Sequence, residues 1–297
     1  MPNIYQHINT NKRDTWVIIF FFIIIVSFIG WFIGYFLYED SGLFFVSIAL
    51  IFSGISSFFS YYNSDKIVLA ISKARKITNV DNPRLHNLVE NMSIASGIPK
   101  PRIYMIEDTA MNAFATGRDP EHGVICFTSG IVNGLDKREL EAVVAHEMSH
   151  IGNFDIRLMS IVCVLVGTIT LLADGFTRGM MYKGRRRSSS RGSAGGLIML
   201  LGIVFLILSP VIATLIKLVV SRKREFLADS TAVLITRYPQ ALADALKKLE
   251  ADKEILEAAN GATAHMYIDS PLKKGNFSAL FATHPPIKER IKRLEAM

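Results

Sequence analysis

Apolar residues fall into two kinds of pattern along this chain. Four long runs, at residues 16–38, 42–62, 158–173 and 195–216, carry little or no charge, and the segments around them break into shorter helical or alternating periods. The run at 16–38 contains no charged residue and is long enough to cross a hydrocarbon core about 30 Å thick as a helix. It exceeds the apolar core of a signal peptide, and the run at 42–62 follows after only Glu39 and Asp40. The pattern therefore predicts a membrane hairpin. Gly30 and Gly34 form a small-xxx-small pair that would let its helices approach closely. Lys12 and Arg13 precede the hairpin while Lys66, Lys73, Arg75 and Lys76 follow it, which puts both of its ends in the cytoplasm.

Beyond the hairpin the periods shorten. A helix begins at Asn82 and Pro83, strands are predicted at 102–106, 112–116 and 123–128, and Asp136 with Glu139 makes a capping-box start to a helix running toward Gly152. Near the C-terminus, Pro285 and Pro286 suit a helix start, with Ile287, Ile291 and Leu294 on its buried face.

Composition supports membrane residence, since half of the 297 residues are hydrophobic and the mean hydropathy is +0.31. The net charge of +7 comes from basic residues beside the apolar runs, with no nucleic-acid motif among them, so no nucleic-acid partner is expected. Cys126 and Cys163 form no CxxC and suggest neither a disulfide framework, nor a thiolate metal site, nor a nucleophile with a motif partner. Residues 185–196, rich in Arg, Ser and Gly, read as a flexible loop.

The chemistry lies in His146-Glu147-Met148-Ser149-His150. On a helix, histidines four apart project about 40° from each other and one turn apart, so both imidazoles can reach one ion. Glu147 beside them can take a proton from a water activated by zinc. The surrounding Val143, Val144, Met148 and Ile151 make this helix mostly buried, where two histidines and a glutamate require partners. A catalytic zinc site needs a third protein ligand. The metzincin pattern is excluded, because Asn153 and Ile156 stand where it requires glycine and histidine. A carboxylate from farther along is needed, and the best candidate is Glu225, just after the fourth apolar run. Asp229 shares its helical face, either to hydrogen-bond the outer nitrogen of a ligand histidine or to pair with neighbouring basic residues. His7, His86, His122 and His265 match no ligand position and are read as ordinary residues.

Four ordered motifs, His146 to His150, Arg224 to Asp229, Asn112 to Gly117 and Thr283-His284-Pro285-Pro286, together resemble the HtpX family of membrane zinc proteases, relatives of the CaaX prenyl endopeptidases. The resemblance implies one catalytic zinc held by His146, His150 and Glu225. It implies that Asn112, Ala113 and Phe114 form an edge strand on which substrate lies extended, and that His284 and Arg290 approach the metal to stabilise the oxyanion. It also implies a bacterial-type cytoplasmic membrane location, with the active site and both termini facing the cytoplasm. The expected substrates are unfolded polypeptides and misfolded or damaged membrane proteins, met at the lipid bilayer in quality control.

His150 and Glu225 must share one side of the membrane to share an ion, so the runs at 158–173 and 195–216 either both cross or both stay. Crossing puts Arg178, Lys183, Arg185, Arg186, Arg187 and Arg191 outside, against the positive-inside rule; a hairpin lying shallow in the interface or packed against the protease domain is the alternative. Crossing is favoured, because the fourth run is long enough and the related proteases build membrane-embedded chambers. The expected fold is a mainly α membrane protein, with four hydrophobic helices and a cytoplasmic gluzincin-like zinc peptidase lobe bearing a small β-sheet. Its parts are a hairpin at 1–63, the first catalytic part at 64–157, a second hairpin at 158–220 and the second catalytic part at 221–297. The expected activity is that of a zinc endopeptidase. A zinc-binding chaperone that does not hydrolyse and a processing peptidase of the CaaX-prenyl type are the alternatives.

Overall fold

The computed structural model describes residues 4–37, 41–168, 222–259, 263–269 and 285–297. The first two apolar runs form helices α1 (Ile4–Leu37) and α2 (Gly42–Ile71), which pack along one another. Both are long and apolar enough to cross a membrane, and they carry most of the exposed large apolar side chains of the described residues. Water would penalise such a surface heavily, whereas lipid does not. Their packing depends on small residues. A Cβ on Gly30 would lie 2.7 Å from the Ala49 Cβ and 2.9 Å from the Phe45 carbonyl oxygen, and one on Gly34 would lie 2.8 Å from the Phe45 ring. Ser53, Ser57, Ser60 and Ser64 extend a buried face of small side chains along α2.

α2 runs on to Ile71, past the expected limit at 62. Polarity ends a membrane run but not a helix, and the extension is held by tertiary contacts, among them the Asp65 carboxylate accepting from Arg102 Nη2 at 2.6 Å. After a short strand β1 (Arg75–Lys76), α3 (Pro83–Ser96) starts where the Asn82 side chain accepts from the Leu85 amide and stops at Gly97, whose φ of 69° is left-handed. Three further strands follow, β2 (Arg102–Ile106), β3 (Ala113–Thr116) and β4 (Val124–Thr128), close to the expected ranges. They form a mixed sheet in the order β1-β2-β4-β3, with β2 and β4 parallel and β3 antiparallel to β4.

Both faces of this sheet are covered, which explains why its strands are nearly continuous apolar runs. Ile103, Met105, Ala113, Ala115, Ile125 and Phe127 join a core with α3 and α5 (Lys137–Gly152). The alternate residues Ile106, Phe114, Val124 and Cys126 join a second core, shared with Ile18, Ile19 and Phe22 of α1 and with α6 (Asp155–Thr168). The membrane hairpin and the sheet therefore share one buried cluster.

α4 (Ser129–Gly134) leads into α5, and the α5 and α6 axes bend by 80° where they meet. At that corner Phe154 has a φ of 62°, a conformation that costs a side-chain-bearing residue about 1 kcal/mol or more. Then come α7 (Arg222–Thr236), α8 (Pro239–Ala251) and α9 (Ile287–Glu295), the last burying Ile291 and Leu294 as its pattern predicts. β1, α4 and α8 were not among the expected elements, although α8 buries Leu242, Ala245, Leu246 and Leu249 at helical spacing. The third apolar run is described as far as Thr168; its remainder, the loop at 185–196 and the whole fourth run lie outside the described residues. The fold shown is mainly helical, with two candidate membrane helices and a small mixed sheet.

Gly30→Val should overpack the hairpin and destabilise it by about 1 to 3 kcal/mol. Thermal unfolding in detergent checks this; an unchanged midpoint would mean that the helices do not meet at this glycine.

Candidate metal centre

The site is built on α5, and α5 is firmly started. The Asp136 carboxylate accepts from the Glu139 amide at 2.9 Å, the Glu139 carboxylate accepts from the Asp136 amide at 2.7 Å, and Lys248 of α8 donates to Glu139 at 2.6 Å. From there α5 passes between α3, α7, α8 and β3, so His146, Glu147 and His150 are all buried. α7 lies across it and brings in Glu225.

The two imidazoles face each other with 3.2 Å between their Nε2 atoms. Glu225 closes the triangle, with Oε2 3.7 Å from His146 Nε2 and Oε1 3.7 Å from His150 Nε2. Four-coordinate zinc with bonds of about 2.0 to 2.1 Å sets its donor atoms about 3.3 Å apart. The three candidate ligand atoms lie within 4.8 Å of one another, so this triad could hold an ion.

The outer nitrogens decide the chemistry of the inner ones. His146 Nδ1 lies 3.1 Å from Asp229 Oδ1, and His150 Nδ1 lies 3.0 Å from Asp155 Oδ2. A carboxylate only accepts, so each Nδ1 donates its proton outward and Nε2 is the atom of each ring left to face an ion, once any proton it holds has been given up. Two Nε2 atoms and a carboxylate converge on one buried point. An ion there would replace the proton on His150, and the donor set fits zinc.

Asp229 meets the outer nitrogen of His146, and its basic partner comes from α9 and not from its sequence neighbours. Besides receiving His146 it takes a bidentate ion pair from Arg290 of α9, at 2.9 Å from Nε and 2.7 Å from Nη2. Arg290 is fully buried; it also donates to the Ile268 carbonyl at 3.2 Å, and its Nη1 lies 3.4 Å from Glu225 Oε2. It is thus brought to the site, with its donors turned to these partners. His284 lies outside the described residues.

Burial pulls His146 below its ordinary range, opposed by the Asp229 hydrogen bond and reinforced by the charge of Arg290. For His150 burial also acts against the charged ring, but the Asp155 hydrogen bond and the carboxylates of Glu225 and Glu147 outweigh it and push the ring up to about 9. Burial alone would raise the Asp229 carboxyl, yet Arg290 and His146 hold it below its usual value. Glu147 is 2% exposed, and its charge is felt by both His150 and Arg290. Burial raises the Cys126 thiol, so no thiolate nucleophile arises there.

β3 is an edge strand, and α5 packs against it. Asn112 precedes it and Ala113 opens it. The far side of the strand is partly occupied, for the Ile268 amide donates to the Ala113 carbonyl at 3.0 Å and Asn112 Nδ2 donates to the Asp269 carbonyl at 3.0 Å. Phe114 points away into the second core, edge-on to Tyr267. Of the histidines read as ordinary, His86 bonds the Ile77 carbonyl, His122 bonds Asp119 and His265 bonds the Met159 carbonyl.

Sequence reasoning missed Asp155. It stands five residues beyond His150, past the end of α5, where no helical period relates it to the motif; only the sharp corner returns it to the imidazole.

Because the metal-free His150 is protonated up to about 9, ion binding at neutral pH must expel that proton, and affinity should rise with pH toward that value. Calorimetry of zinc binding in buffers of different ionisation enthalpy should show release of about one proton. Release of none would contradict the assigned protonation.

Residues 79–297 match the family model described as Peptidase family M48. The chain is 43% identical to a protease HtpX homolog of Dictyoglomus thermophilum over 295 residues, covering 99% of this chain and 94% of that protein. It is 43% identical to one of Tropheryma whipplei over 293 residues, covering 99% and 98%, and 40% identical to one of Streptococcus uberis over 297 residues, covering 99% and 100%. Among solved structures, the crystal structure of S. mikatae Ste24p superposes with a TM-score of 0.50 at 20% identity, covering 94% of this chain. The chain spans 62% of the length of that protein, and the likeness is one of fold. With its paired histidines, its buried glutamates and its apolar hairpin, the chain belongs to peptidase family M48, among the HtpX proteases, and is a membrane metallopeptidase.

Proposed function

We propose that this protein is a zinc-dependent endopeptidase that cuts misfolded or damaged membrane proteins at the cytoplasmic face of a bacterial-type cytoplasmic membrane. The observation that carries the reading is the pair of Nε2 atoms at 3.2 Å, each turned inward by a carboxylate on its outer nitrogen and closed off by Glu225.

His146, His150 and Glu225 would hold the ion. When bound, zinc supplies Lewis acidity toward a water and the scissile carbonyl. Glu147 takes the proton of the attacking water and delivers it to the departing amine, a role suited to a buried carboxylate next in sequence to a ligand. No covalent acyl intermediate is needed. Arg290 supports the oxyanion by its buried charge while its hydrogen bonds hold Asp229, and His284 is the direct donor. Asp229 holds His146 in the required tautomer.

Substrate lies extended beside β3 and takes over the Ala113 carbonyl and the Asn112 amide from residues 268 and 269, so that main-chain pairing gives affinity with little demand on sequence. Phe114 serves from behind, by fixing the strand against Tyr267. The apolar cluster shared by α1, α6 and the sheet supports a site close to the membrane surface. In this reading the second hairpin also crosses, giving four hydrophobic helices around a cytoplasmic lobe, with both termini in the cytoplasm.

The test is turnover of casein and of an unfolded membrane substrate by the detergent-purified chain. Glu147→Gln should retain zinc and lose about 100-fold or more in turnover, whereas His146→Ala should lose both zinc and turnover. Undiminished cleavage by Glu147→Gln would sink the mechanism. A strong preference for short lipidated C-terminal peptides would replace the quality-control role with a processing one.

A further inference from the structure

The polar start of α1 reaches the metal centre. Asn11 is 3% exposed, and every hydrogen-bonding direction of its amide on the nitrogen side is used: Nδ2 donates to the Asn153 carbonyl at 2.9 Å and to Asp155 Oδ1 at 2.7 Å. Its Oδ1 accepts from Arg224 Nε at 3.0 Å. Two acceptors on one side and a donor on the other fix the orientation of the amide. Two of these partners adjoin a candidate ligand. Asp155 holds His150 through its second oxygen, and Arg224 immediately precedes Glu225. Arg224 also approaches Asp155 Oδ1 at 3.4 Å and Asp14 of α1 at 3.6 Å.

The next residue of α1 acts on the same corner. The Lys12 ammonium lies 4.3 Å from the centre of the Phe154 ring, and the Arg157 guanidinium lies 4.8 Å from it. Phe154 is the residue in the left-handed conformation, so the strained turn that brings Asp155 back to His150 is clasped by cations, one of them from the membrane helix.

We infer that the N-terminal membrane helix is a component of the metal centre: Asn11 and Lys12 hold the α5–α6 corner so that Asp155 positions His150. Asp155 and Asn11 are positioning residues, acting on the ion only through His150. The inference rests on the metallopeptidase reading above, and it makes metal affinity depend on the seating of α1.

The experiment uses the full-length chain in detergent with three readouts: zinc dissociation by competition with a chelator, the visible spectrum of the cobalt-substituted protein, and the thermal midpoint of the metal-stripped form. Removing a partner of a ligand histidine weakens metal binding by about 10-fold to about 100-fold. Asp155→Asn, which keeps the shape, should weaken zinc within that range and alter the cobalt spectrum while leaving the metal-free midpoint close to wild type. Asn11→Ala should weaken zinc in the same direction. The double variant should be no weaker than Asp155→Asn alone, because both changes break one chain of contacts. If Asn11→Ala lowers the metal-free midpoint but leaves zinc affinity and the cobalt spectrum intact, or if the two effects multiply independently, the inference is overturned and the function stands. A wild-type chain that binds no zinc would remove both.

Discussion

The structure is organised around an electrostatic constraint: two imidazoles and a carboxylate are held against one another where water cannot screen them. Among the described residues, four buried carboxylates, Glu147, Asp155, Glu225 and Asp229, surround this point with one fully buried guanidinium, Arg290. Such a set is costly unless each charge is paired and a cation completes it. The groups that do the pairing come from α6, α7 and α9, so the centre also ties together helices that sequence order separates widely.

Rigidity follows from how α5 is mounted. Its capping box secures the first turn, the sheet and three helices bury its flanks, and the 80° corner ends it immediately after the second histidine. A histidine pair at i and i+4 is only as well aligned as the turn that carries it. The corner serves twice, since it stops α5 and also aims the first residue of α6 at the imidazole that α5 presents. The strain at Phe154 is tolerated where Lys12 and Arg157 lie over its ring.

The membrane hairpin is joined to this framework rather than tethered beside it. Ile18, Ile19 and Phe22 lie in the same apolar cluster as the outer face of the sheet, and α2 continues unbroken to Ile71, past the expected limit of its membrane run.

What the chain's sequence determined is what short-range periodicity can encode. Spacing along a helix brings His146 and His150 to one point, caps announce where α3 and α5 begin, and uncharged runs mark α1 and α2, because each depends on residues within a few positions of one another. Glu225 was legible only through the need for a third ligand and through resemblance, not through any local rule. The tertiary structure alone decided that Asp155 is the partner of His150, that Arg290 clasps Asp229, that Asn112 and Ala113 are bridged by residues 268 and 269, and that Asn11 lies against the corner. Each of these contacts joins residues whose meeting depends on packing angles set by the whole core, and no pattern in one segment carries the orientation of another.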